Sequence, residues 1–78
     1  MHLPIERTLK AVHLAGRELG RDPTLPEIAE ACAVRLKEIE GQVLELSRYG
    51  YTRLNQAGVR ITDAGRAAAQ RPGKLIAA

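Results

Sequence analysis

Apolar residues Ile5, Leu9, Val12 and Leu19 recur at roughly helical spacing between Pro4 and Gly20, with Arg7, Lys10, Arg17 and Glu18 between them. This pattern predicts a first helix. Gly20-Arg21-Asp22-Pro23 reads as a turn, because proline disfavours helical geometry at the residue before it and glycine tolerates left-handed dihedrals. Thr24-Leu25-Pro26-Glu27 fits a capping box, with the Thr hydroxyl on the third helical amide and the Glu carboxylate reaching back. A short second helix is expected from there, with Leu25, Ile28, Ala29 and Cys32 on its apolar side, ending near Ala33 or Val34.

A third helix is expected over Leu36 to Tyr49, closed by Gly50 in the left-handed position, with Leu36, Ile39, Val43 and Leu46 as its buried stripe. Its opposite face is centred on Gly41 and flanked by Lys37, Arg48, Glu38 and Glu45, while Leu44 lies at the flank of the buried stripe. Beyond Gly50 the period shifts towards two. Tyr51-Thr52-Arg53-Leu54 and Val59-Arg60-Ile61-Thr62 bracket Asn55-Gln56-Ala57-Gly58, which predicts a hairpin. Thr62 is placed to cap a last helix through Ala64 to about Gln70, and Arg71-Pro72-Gly73 should end it, leaving a loose tail over 71–78.

The chain of 78 residues suits one domain, with its ordered core expected over about 4–70. With no Trp or Phe and two Tyr, that core must be built from Leu, Ile, Val and Ala. The N-terminus lacks the pattern of a secretory signal, and no apolar run approaches membrane-spanning length, so a cytoplasmic protein with no membrane partner is expected. Cys32 is the single cysteine, which excludes an internal disulfide and a cysteine zinc cluster. The net charge of +3 is unevenly spread: residues 1–50 carry seven basic and eight acidic side chains, whereas 51–78 carry Arg53, Arg60, Arg66, Arg71 and Lys74 against Asp63. Attraction to phosphate should therefore centre on the C-terminal part.

The order of three helices, hairpin and fourth helix predicts a mainly α fold with a small β-hairpin, arranged as a winged helix-turn-helix. Pro23-Thr24-Leu25-Pro26-Glu27-Ile28-Ala29 resembles the opening of many bacterial helix-turn-helix motifs, and Leu46-Ser47-Arg48-Tyr49-Gly50-Tyr51 resembles their exit from the third helix. Gly58-Val59-Arg60-Ile61-Thr62-Asp63-Ala64-Gly65-Arg66-Ala67 is similar to the wing-to-helix signature of DtxR-type repressors and MarR-type regulators. The resemblance spans roughly residues 5–70. The sequence ends before the dimerisation helices and most metal ligands of those families, so metal sensing is not carried over.

The resemblance implies a small regulator of transcription that binds double-stranded DNA, with the third helix in the major groove and the wing on phosphates. Lys37, Gln42 and Arg48 would act from the helix, Arg53 and Arg60 from the wing, and Arg35 would hold a phosphate just before the helix. Two such modules in a homodimer would extend the site, through the first helix or the 63–78 segment. An alternative is a module that binds a protein through its third helix. There Glu38, Glu40 and Glu45 balance Arg35, Lys37 and Arg48, and Gly41 suits close approach of a partner or is simply tolerated. A third reading is a DNA-binding domain cut from a longer regulator. His13 and Cys32 lack close-spaced ligand partners, so no metal or other cofactor is expected, and no catalytic constellation points to an enzyme.

Overall fold

The computed structural model describes residues 5–70 as α1 (Ile5–Leu19), α2 (Leu25–Cys32), α3 (Leu36–Arg48), β1 (Thr52–Asn55), β2 (Gly58–Ile61) and α4 (Asp63–Gln70). The expected helix stop at 71–73, the loose tail, Arg71 and Lys74 lie outside the described residues. Four helices and one antiparallel hairpin, with α2 and α3 joined by a tight turn, form a winged-helix-like arrangement.

Each element begins where local chemistry allows it. Thr24 Oγ1 accepts from the Glu27 amide at 3.3 Å, and the Thr24 amide donates to Glu27 Oε1 at 2.8 Å, so the capping box is complete. The α2–α3 turn is made by Ala33 in the left-handed region (φ 57°), without the glycine usual at that position. Gly50, at φ +79°, provides the exit from α3. Thr62 then ties three elements together. Its hydroxyl donates to Gly50 O at 2.6 Å and accepts from the Gly65 amide at 3.0 Å, while its own amide donates to Tyr51 O at 3.0 Å.

The core has two lobes. Val12, Ile28, Ala29, Ile39, Val43 and Val59 fill one, and Leu9, Leu46, Ala68 and Ala69 the other, with Ile61 packed against both. Each large aliphatic side chain buried here contributes about 1.5–3 kcal/mol relative to exposure. Gly65 lets α4 approach the hairpin base, because a Cβ there would overlap the Tyr51 carbonyl oxygen.

Two expected core positions are corrected. Leu19 is in phase with the α1 stripe but is the last residue of the helix, beyond the last buried position at His13, and it is exposed. Thr8 and His13 complete the buried face instead. Leu36, the first residue of α3, precedes the turn at which Ile39 enters the core and is also exposed. Leu44, expected at the flank of the buried stripe, is exposed at 54%.

Candidate functional site

Ile39, Val43 and Leu46 anchor α3 in the core, which turns Lys37, Gly41, Leu44 and Arg48 outward. These four stand at i, i+4, i+7 and i+11, one continuous helical stripe. No carboxylate lies within it: Glu40 and Glu45 flank it on either side, and Glu38 is half-buried and already engaged. A Cβ at Gly41 would meet nothing within 4 Å, so the middle of the stripe is open to solvent. Arg35 occupies the N-cap position of α3 without a side-chain cap bond and is exposed.

Gln42 is placed differently from the other helix residues singled out by sequence. It is half-buried, and its Oε1 accepts from the hydroxyl of Thr8, which is fully buried on α1. Its side chain joins α1 to α3 and does not belong to the outward stripe.

The hairpin arginines form a second group. Arg53 and Arg60 are partners in the strand register, and alternation puts both on the face opposite Thr52 and Val59. Thr52 is the residue that meets α3, through a bond from its hydroxyl to Val43 O at 3.2 Å. Arg53 and Arg60 therefore face away from α3, and the structure does not bring them together with Lys37 and Arg48.

They open instead onto a groove of about 700 Å³ whose other walls are the C-terminal half of α1, the turn at Arg21 and Asp22, and the first turn of α4. Arg17, Arg21 and Arg66 join Arg53 and Arg60 there. Arg60 Nε is 3.4 Å from Asp22 Oδ2, and Arg66 is 3.4 Å from Asp63. Arg21 grips Glu27 with both terminal nitrogens, at 2.9 and 2.6 Å. That grip, with the Thr24 amide, pulls the Glu27 carboxyl down to about 2. Among the described residues Arg17 and Arg53 have no acidic partner.

Sequence reasoning passes over Arg17 and Arg21 because each reads alone as a solvated charge; only the chain path gathers them. The N-to-C charge imbalance is the one signal, and it locates Arg53, Arg60 and Arg66 without showing what they face.

Burial pushes the Cys32 thiol up, which keeps it protonated and poorly nucleophilic. Among the described residues no group of three or more His, Cys, Asp or Glu side chains is placed to hold a metal ion, and no helix is long and apolar enough to cross a membrane. No family model matches the sequence, and no curated protein matches it.

Proposed function

We propose that the protein binds double-stranded DNA as a small regulatory or accessory factor, laying α3 in the major groove. The observation that carries this reading is the outward stripe of Lys37, Gly41, Leu44 and Arg48, free of carboxylates. Lys37 and Arg48 are roughly 16 Å apart along the helix axis at 1.5 Å per residue. That separation is comparable to a major groove about 12 Å wide, so the two cations can reach phosphates on either side of it. Arg35 adds a third cation at the helix N-terminus, an end whose free amides favour phosphate. Arg53 and Arg60 face away from this footprint and contribute general attraction within about 10 Å at ordinary ionic strength. The resemblance of residues 58–67 to the wing-to-helix signature of DtxR- and MarR-type regulators, a likeness of sequence pattern, points the same way.

Titration of a fluorescent duplex at low salt tests it. Binding is expected at micromolar protein. Lys37→Ala with Arg48→Ala should lower the slope of log affinity against log salt by about 0.9 for each phosphate that is no longer neutralised. No binding at tens of micromolar would overturn the proposal.

A second reading is favoured by Leu36 and Leu44, which expose 43% and 54% of their surface on α3. Under it, α3 meets an apolar patch of a protein partner. Leu44→Lys separates the two: it strengthens duplex binding if α3 lies on DNA and abolishes association if Leu44 lies on a protein.

A further inference from the structure

The groove between α1, the hairpin and α4 has no part in the α3 surface. Thr8, which meets α3, and Arg17, which lines the groove, are nine residues apart on α1 and so point about 180° apart. We infer that this groove binds a compact polyphosphate anion, a small molecule carrying two or more phosphoryl groups.

Four elements and a turn contribute to it: Arg17 from α1, Arg21 from the turn, Arg53 from β1, Arg60 from β2 and Arg66 from α4. Arg53 and Arg60 stand directly opposite each other in the antiparallel pair, an arrangement in which like charges repel. An anion bound between them removes that repulsion. Arg17 and Arg53 have no acidic partner among the described residues, and the pairs that hold Arg60 and Arg66 are long, at 3.4 Å, with both arginines exposed and Asp22 half-buried. Long pairs made by exposed arginines contribute little, so both guanidiniums can turn to phosphate at small cost. Arg21, gripped at two points by Glu27, remains as a wall.

Guanidinium forks match phosphate oxygens two at a time, and four forks spread over three walls suit several phosphoryl groups better than one. The volume, about 700 Å³, lies in the range of small-molecule sites. A continuous phosphodiester strand is the poorer fit, because Asp22 and Asp63 stand among the arginines and would face it. A discrete anion can sit against the arginines without running past both carboxylates.

Inorganic tripolyphosphate is the probe, followed by amide chemical shifts at pH 7 and low salt. Saturable binding should move the amides of Arg53, Arg60, Thr62 and Arg66 and leave α3 unmoved, with orthophosphate binding at least about tenfold more weakly. Arg17→Ala and Arg53→Ala should each weaken tripolyphosphate binding about tenfold or more, the effect of removing a charge-assisted hydrogen bond. Arg7→Ala removes the same charge from α1 about 15 Å along the helix axis from Arg17 and outside the groove lining, and should change binding less than about twofold. Equal weakening by Arg7→Ala and Arg17→Ala, or shifts that follow α3, would overturn the inference. So would a random duplex that moves the groove amides and displaces tripolyphosphate, since the groove would then be a backbone tract. Because the duplex experiment reads α3 and this one reads the groove, failure of either proposal is distinguishable from failure of the other.

Discussion

The amide of Val59 donates to the carbonyl oxygen of Pro23 at 2.7 Å, which fastens the second strand of the hairpin to the turn between α1 and α2. Asp22, one residue earlier, also meets the hairpin, through long contacts of 3.4 Å with Arg60 and with the side-chain amide of Asn55. The approach depends on Gly58: it has φ +150°, and a Cβ on it would overlap the Pro23 carbonyl. Gly58→Ala should therefore cost about 3 kcal/mol, from backbone strain and the broken junction together. Urea unfolding measures this as a lowered midpoint at unchanged slope. A loss below about 1 kcal/mol, the ordinary effect of a surface glycine, would show that the junction is not formed.

Acid should weaken the protein partly through Glu27. Its carboxyl is held down to about 2 by the bond from Arg21 and the Thr24 amide. A depressed carboxyl contributes stability that is complete above the ordinary carboxylate range and is lost as pH falls from there towards 2. The stability difference between the native protein and Glu27→Gln should accordingly be largest near neutrality and shrink across that window. Parallel pH profiles in urea unfolding would remove Glu27 as a source of the acid sensitivity.

The bond from Thr8 to Gln42 implies that Gln42 acts in folding. Thr8→Val leaves a half-buried amide oxygen short of a donor and should cost about 1–2 kcal/mol. Gln42→Ala should destabilise similarly and leave the sequence preference of any duplex binding unchanged. A changed preference at preserved stability would return Gln42 to the outward surface.

The parts of this fold that are legible in the sequence are those set by neighbours in the chain. The Thr24–Glu27 box, the Thr62 cap and the Ile39, Val43 and Leu46 stripe each follow from spacing alone. Periodicity does not say where along an element the neighbouring elements end, so Leu19 and Leu36 are in phase yet exposed. The α2–α3 turn at Ala33 carries no glycine to announce its left-handed backbone, so spacing brackets the end of α2 without fixing its last residue. Gln42 and Glu38 read as exposed because the turn of α3 relative to α1 decides which flank is covered. The arginine groove depends on three long-range placements at once, and no local pattern encodes it.

The acidic side chains of α3 give the sharpest test of how that helix is used. Glu40 and Glu45 flank the outward stripe and are exposed, whereas Glu38 is half-buried and engaged. If α3 lies in a major groove, Glu40 and Glu45 approach phosphates that repel them, whereas Glu38, on the same flank as Glu45, is half-buried and already engaged. Glu40→Gln and Glu45→Gln should each raise duplex affinity about threefold at low salt, and the gain should fade as added salt shortens the screening length. Glu38→Gln should change stability and leave affinity within a factor of about two. If α3 instead meets a protein through Leu36 and Leu44, neutralising Glu40 and Glu45 adds only general attraction, and Glu38→Gln and Glu40→Gln should then affect duplex affinity alike. These two variants make the same chemical change on one helix, so a measured difference between them reports whether the outward stripe of α3 touches DNA.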